Sequence, residues 1–488
     1  MDNQNFTPDS SNVNPPQIGG QDVNPTVQSP TEGSQPTHAD THTDNTHTNQ
    51  TPASSNTNHK PVASPQSNTQ ASLEDNPKFN ELKRSILSNN VPQIVLLLIS
   101  LALDMRASDI HIEPLEDIVR VRYRIDGVLQ YIVEYPMNVH PAIVSRVKIM
   151  SNLKIDESRI PQDGRTNVTT QDGREMDLRV STFPTVNTEK IVMRIQDKSR
   201  DIPQLEDLGI TGNSLKFIQR ALKAPNGIIL TSGPTGSGKT TTLYACLTKL
   251  NKVGVNILTI EDPVEIQLDG LNQSQVKSDI GYKFSTGLRS ALRQDPDIMM
   301  VGEIRDKETI NVAIESALTG HLVFSTIHTN SAVETLTRIL NMEVPPYLIA
   351  STVDTIIAQR LVRLLDPETK VVDNPSPEVL EAAKKAIETL PQSEKDSYPD
   401  IDFNNPVFYR PDPSLPEGRG YKGRVGLYEI MAFNQRLKNA VLQGKNTLEI
   451  QQIAQEEGMV TLEQSGVIKA LQGKTSLSEV YRVANQSD

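Results

Sequence analysis

Gly227-Ile228-Ile229-Leu230-Thr231-Ser232-Gly233-Pro234-Thr235-Gly236-Ser237-Gly238-Lys239-Thr240-Thr241 is the stretch that decides the fold. Its opening is apolar enough for a buried strand, and residues 233–240 match the phosphate-loop pattern G-x-x-x-x-G-K-[ST]. Thr241 to Leu247 then runs on with a helix-like apolar spacing. A strand, a Gly-rich turn and a helix N-terminus together aim several backbone N–H groups at one anion. The glycines let the backbone come close to phosphates. Lys239 is expected to neutralise the β and γ phosphates of a nucleoside triphosphate, and the Thr240 hydroxyl to hold Mg²⁺. The expected contacts are Gly233, Pro234, Thr235, Gly236, Ser237, Gly238, Lys239, Thr240 and Thr241.

Working outward, strand candidates at 227–231, 256–260, 297–301 and 321–327 alternate with helical stretches over residues 205–365. That pattern predicts a parallel sheet with helices on both faces. Chemistry-bearing residues cluster at the ends of these strands, where a parallel sheet opens its ligand crevice. Glu261-Asp262-Pro263-Val264-Glu265 places three carboxylates there. They suit water-mediated Mg²⁺ binding or orientation of a nucleophile, the alternative being a solvated acidic turn. Glu303 follows the apolar run Ile298–Val301 and fits a residue that orients an attacking water. Common phosphate-loop enzymes end this strand with an aspartate. Here Gly302 precedes the glutamate, which leaves open how metal holding and water activation are divided. His321 and His328 bracket the next strand. A histidine on a strand reads as a satisfied core residue, whereas His328, at a strand end among polar residues, reads as a phosphate-sensing group.

Composition bounds the rest. The chain has 488 residues and a net charge of −12, with no Trp and only 4% aromatics. That argues against a nucleic-acid groove, which needs positive charge and stacking platforms. One cysteine, Cys246, excludes an intramolecular disulfide and reads as a small buried thiol. The longest apolar run, Ile94–Leu103, is too short for a bilayer span of roughly 20 residues, and no signal peptide is recognised. An intracellular protein that meets a membrane only through a partner is therefore expected. Residues 1–76 are polar, and their composition predicts a disordered tail.

Residues 77–202 read as a small α+β domain. It has a strongly apolar helix at 91–105 and strands at 107–114, 118–130, 175–182 and 189–195, with another helix at 143–153. Asp126-Gly127 marks a tight hairpin. Residues 203–365 form the core just described. Residues 366–420 are Pro-rich around one helix capped by Ser376, and 421–488 read as short helices with stops at Gly444, Gly458 and Gly473.

The phosphate loop, acidic box, glutamate box and histidine box, in this order and spacing, resemble the secretion and pilus-assembly ATPase family. Ala107–Pro114, Arg124–Leu129 and Arg159–Arg165 resemble that family's second N-terminal domain, and Gly423–Glu429 its C-terminal region. The likeness spans roughly residues 90–485. It implies a RecA-like ATPase core within an α/β chain, ATP and Mg²⁺ as cofactors, and a homo-hexamer. Glu303, Lys239, His328, Arg179 and Arg194 would be catalytic, with Glu261 and Glu265 added to the nucleotide contacts. Arg179 and Arg194 would reach the nucleotide as arginine fingers, with Arg165 a further candidate, while Arg120 reads as part of a solvated basic face. The implied activity is ATP hydrolysis powering type IV pilus assembly on an inner-membrane platform protein, at the cytoplasmic face. The type II secretion motor is the alternative, and a nucleic-acid translocase is the competitor from another class. A retraction motor fits less well because of Gly420-Tyr421-Lys422-Gly423-Arg424, and a non-enzymatic scaffold would leave Glu303 idle. The sequence departs from the family twice. Residues 366–420 hold no cysteine, which excludes the family's zinc site there; Pro406, Pro411, Pro413 and Pro416 stiffen the segment instead. The polar tail also stands where a first, membrane-docking domain is usual.

Overall fold

A computed structural model of the chain describes residues 76–170, 173–196, 202–415 and 419–484. Of the tail only Asn76 is described; the expected boundary near Arg200 and Pro416 also lie outside the described residues. Asn76 caps the first helix, α1 (Pro77–Leu87), and Asn90 caps α2 (Val91–Asp104); each side chain accepts a hydrogen bond from the following turn. Ile94, Val95 and Leu97 to Ala102 are all buried, so α2 is apolar around most of its circumference because protein surrounds it.

Six antiparallel strands follow: β1 (Ala107–Pro114), β2 (Ile118–Ile125), β3 (Val128–Pro136), β4 (Gln162–Thr169), β5 (Glu175–Pro184) and β6 (Glu189–Gln196). Their order across the sheet is β3-β2-β1-β6-β5-β4. Val119, Val121 and Tyr123 of β2 alternate into the core. Asp126 and Gly127 both take positive φ, 47° and 88°, as a two-residue hairpin whose twist matches its strands requires. The opposite face is ion-paired rather than merely solvated. Arg120 meets Glu134 at 3.0 Å, and Arg122 and Lys190 converge on Glu113. Helix α3 (His140–Met150) begins three residues earlier than the spacing predicts and ends three earlier. It is locked to β6 by a buried polar chain. Lys148 donates to Glu189 at 2.7 Å, His140 bonds the Glu189 carbonyl at 2.7 Å, and Tyr135 bonds His140 at 2.9 Å.

The second sheet is built from β7 (Gly227–Ser232), β8 (Ile257–Glu261), β9 (Asn272–Gln275), β10 (Ile298–Val301), β11 (Leu322–Ile327), β12 (Val353–Leu365) and β15 (Tyr421–Ala432). Its order is β15-β12-β7-β11-β10-β8-β9, parallel except that β15 runs antiparallel to β12. Helices α4 (Gly212–Ala221), α5 (Lys239–Leu250), α6 (Phe284–Ala291), α7 (Lys307–Leu318), α8 (Ala332–Asn341) and α9 (Pro346–Thr352) connect and cover these strands. Two expectations are corrected. Residues 421–432 are a strand, not the start of a helical region, and β12 extends the sheet where no strand is predicted. Val425 to Ala432 are all buried. A run buried on both faces lacks the alternation that announces a strand, so periodicity misses it.

Between β12 and β15 lies the Pro-rich excursion, with the ribbon β13 (Lys370–Val372) and β14 (Tyr409–Pro411) and helices α10 (Pro377–Glu388) and α11 (Gln392–Lys395). Ser376 caps α10. Buried Glu394 accepts from the Asn213 backbone N–H at 2.7 Å at the start of α4, and Tyr398 bonds Thr211 at 2.8 Å. Among the described residues no group of His, Cys, Asp or Glu is placed to hold a metal. The chain closes with α12 (Gln435–Leu442), α13 (Thr447–Glu456), α14 (Leu462–Leu471) and α15 (Leu477–Ala484). Gly444, Gly458 and Gly473 follow three of these helices with φ of 66°, 97° and 65°. No helix among the described residues is long and apolar enough to cross a membrane.

Removing one partner of a buried ion pair strands the other. We expect Lys148→Met to destabilise the protein by about 3–5 kcal/mol, and Lys148→Met with Glu189→Leu to cost clearly less. Urea unfolding of both single variants and the double measures this; a double-variant cost equal to the sum of the two singles would show that the charges are not coupled.

Candidate active site

Strand β7 is buried throughout and central in its sheet, so it delivers the loop 233–238 to a fixed place. Gly233, Gly236 and Gly238 all hold positive φ, at 142°, 79° and 89°. A Cβ on Gly233 would lie 2.5 Å from the Gln359 carbonyl oxygen, and one on Gly238 2.8 Å from the Gln359 amide nitrogen. A Cβ on Gly236 would meet nothing within 4 Å, so that glycine is needed for its backbone conformation alone. Gly238 is the N-cap of α5, and Lys239 is its first residue. The Lys239 amine donates to the carbonyls of Gly233 at 2.7 Å and Pro234 at 3.0 Å. Burial pushes this amine down to about 8, with the Glu303 charge opposing and Arg360 reinforcing. The Ser237 hydroxyl is buried without a hydrogen-bond partner. A half-buried amine, an orphan hydroxyl and a helix N-terminus on one turn form a donor set fitted to a phosphate chain. Cys246, deeper in α5, is buried and its thiol is pushed up to about 12 by desolvation.

Glu303 follows β10, and its carboxylate contacts Arg305 and, at 3.3 Å, His328 Nε2 beyond the end of β11. Gly302 packs tightly: a Cβ there would sit 3.3 Å from Glu261 Cα and from the Ile260 carbonyl. Its amide donates to that carbonyl at 2.7 Å. Glycine before the glutamate thus lets β10 close on β8. His321 is a structural residue, with Nδ1 2.9 Å from the Ser316 carbonyl at the end of α7.

The acidic box divides into two roles. Glu261 is buried, and desolvation raises its pKa against the bonds it receives. Tyr244 donates to one of its oxygens at 2.5 Å, and Thr259 and Gln273 to the other at 2.6 and 3.1 Å. Tyr244 also accepts the Glu265 backbone N–H at 3.4 Å, tying the box to α5. Glu265 turns instead to the first sheet, where Arg179 donates to it at 2.9 Å and Gln196 also reaches it. In that sheet Arg165, Arg179 and Arg194 stand directly opposite one another on β4, β5 and β6. Like charges in one cross-strand row are unfavourable unless an anion offsets them. Together with Asp109 and Asp163 they line a cavity of about 380 Å³. Arg194 pairs with Asp109 at 3.1 Å, within its own sheet. The structure therefore pairs Glu303 with His328, sets the Glu303 charge near enough to act on the Lys239 amine, and pairs Arg179 with Glu265, while Arg194 stays on the arginine row.

Residues 88–482 match the model of the Type II/IV secretion system protein family. This chain belongs to that family. The type II secretion system protein E of Xanthomonas campestris is 46% identical over 81% of this chain and 68% of its own length. The type IV pilus assembly ATPase PilB of Myxococcus xanthus is 44% identical over 83% and 70%. Among solved structures, the ADP-bound pilus retraction motor PilT is 26% identical, with a TM-score of 0.52, over 81% of this chain and 97% of that one. The ATPase DotB of Legionella pneumophila, 20% identical over 79% of this chain and 94% of that one, shares the fold with a TM-score of 0.56.

Motif reading in this secretion-family chain passes over Tyr244, Gln273 and Gln359. Tyr244 and Gln359 carry a weak signal, being polar atoms inside apolar helix and strand runs that must find buried partners.

The depressed lysine has a consequence for stability. Between about pH 8 and the ordinary lysine value of about 10.4 the unfolded chain binds more protons, so native stability climbs with pH. We expect Lys239→Met to lose that climb and to melt no lower than wild type at pH 7 without nucleotide. Urea midpoints across pH 7–11 check this; an identical climb in both proteins would place the titration elsewhere.

Proposed function

We propose that this chain is an ATP-hydrolysing motor of type IV pilus assembly. It works with Mg²⁺ as a homo-hexamer on an inner-membrane platform protein, at the cytoplasmic face and peripheral to the membrane. The observation that carries the reading is the Glu303–His328 pair, whose carboxylate charge acts on the half-buried Lys239 amine at the end of the phosphate loop. Names of relatives support it: PilB proteins are pilus assembly ATPases, and the PilT crystal contains ADP. The relative at 46% identity is a secretion protein, which keeps the type II secretion motor as the second reading.

The chain's own residues divide the work. Lys239 leaves the Gly233 and Pro234 carbonyls to neutralise phosphate charge, and Ser237 and the first N–H groups of α5 donate to phosphate oxygens. Mg²⁺, held by the Thr240 hydroxyl, would supply further charge neutralisation. Glu303 orients the attacking water, with His328 fixing one carboxylate oxygen. Arg179 exchanges the Glu265 carboxylate for phosphate, so hydrolysis is coupled to movement of the first sheet against the second. Arg194 and Arg165 extend the same positive row.

Glu303→Gln is expected to keep nucleotide affinity within a few-fold while turnover falls about 10²–10⁴-fold, the usual contribution of a positioned base. Lys239→Ala should lose tight binding. Arg179→Ala should cut turnover about 10³–10⁵-fold with little change in melting temperature, and Arg120→Ala should be mild. Nucleotide titrations and phosphate release on each variant test these roles. Wild-type turnover in Glu303→Gln would remove it from catalysis. Deleting the gene and scoring surface pili against secreted enzymes separates the two motors.

A further inference from the structure

We propose that Gln359 is a positioning residue of the nucleotide site, holding the phosphate loop in its binding conformation through Thr242. This rests on the reading of residues 233–240 as that loop. Gln359 lies on β12, which is parallel to and directly beside β7. Three observations converge on its side chain. It is only 2% exposed, a burial that an amide accepts only with partners. The Thr242 hydroxyl, in the first turn of α5 and itself fully buried, donates to its Oε1 at 2.8 Å. Its backbone oxygen and Nε2 occupy the space that Cβ atoms on Gly233 and Gly238 would need. One residue thus touches both ends of the loop and the helix that follows. Tyr428, its direct cross-strand neighbour on β15, brings a second hydroxyl to 3.3 Å from Thr242. Among the described residues the side-chain hydrogen bonds of Thr242 run to Gln359 and Tyr428 and not to Glu303, so Gln359 acts on how phosphate is held rather than on bond cleavage.

Full-length Gln359→Leu keeps the side-chain volume and removes the amide. Titrated with a fluorescent ADP analogue, it should bind about tenfold or more weakly, since a buried hydroxyl loses its acceptor and the loop its brace. KM for ATP should rise in step, with kcat within about threefold of wild type. Thr242→Val should show the same loss, and the double variant no more than either single, because removing both partners of a buried bond restores balance. Tyr428→Phe, which removes only the longer contact, should shift affinity less than threefold. Gln359→Glu keeps the acceptor but places a carboxylate beside the phosphates. Its ADP affinity should weaken as pH rises through the carboxylate's titration, a step absent in wild type and not produced by simple loosening. Wild-type affinity in Gln359→Leu, or additive losses in the double variant, would overturn the proposal. If Gln359→Leu does not fold, Thr242→Val and the pH profile of Gln359→Glu decide it. If Lys239→Ala also binds normally, the phosphate-loop reading itself has failed. If Lys239→Ala loses binding while Gln359→Leu does not, only this inference falls.

Discussion

A half-buried lysine amine at the start of α5, bonded only to backbone carbonyls, is the constraint around which this molecule is arranged. This amine, of Lys239, meets carbonyls rather than a carboxylate. Across from the acidic box, three guanidiniums occupy one cross-strand row. Stability alone does not call for an amine drawn onto carbonyls or for three guanidiniums in one row, of which Arg179 turns inward onto Glu265 while Arg165 and Arg194 stay exposed. Each cluster suits an anion, and the surrounding scaffold explains how it is kept in place. Lys239 is fixed by β7 and the Gly233–Gly238 turn, with β12 pressed against the glycines. The arginines are fixed by a sheet whose other contacts, such as Lys148 with Glu189, are buried and paired.

Local chemistry was legible in the sequence, whereas long-range placement was not. The phosphate loop, the Asp126-Gly127 hairpin, the Ser376 cap and the Gly helix stops each depend on a few neighbouring residues, and each forms where the pattern predicts. The edge strand β15 did not announce itself, because Val425–Ala432 is buried on both faces and therefore has no period. The acidic box reads as one cluster, yet Glu261 turns inward to Tyr244 and Thr259 while Glu265 turns outward to Arg179. Adjacent carboxylates on a turn differ only in what the tertiary fold brings to them. Arg120 shows the same limit: its alternation in β2 is plain, but Glu134 is supplied by the neighbouring strand.

The excursion between β12 and β15 shows how a segment without cysteines is anchored. Buried Glu394 takes the backbone N–H that opens α4, where a carboxylate also complements the helix dipole, and desolvation raises its pKa against that bond. Tyr398 and the apolar contacts of Phe403 and Phe408 complete the attachment. Anchoring of this kind needs no ion, and it places two ionisable groups, Glu394 and the buried Lys469, on one small enclosed space.

The hairpin turn at Asp126 has a mechanical meaning. Its carboxylate accepts the Gly423 backbone N–H at 3.1 Å and lies within reach of Arg106 and Arg424 at 3.9 and 4.0 Å. The first sheet is thus fastened to the second both through this turn and through the Arg179–Glu265 pair. A body held at two separated points is confined to turning about the line through them; freed at one, it swings about the other. If phosphate draws Arg179 off Glu265 and the neighbouring Gln196 contact is released with it, the Asp126 turn becomes a fulcrum and the first sheet a lever arm, so a change at one carboxylate is delivered as torque.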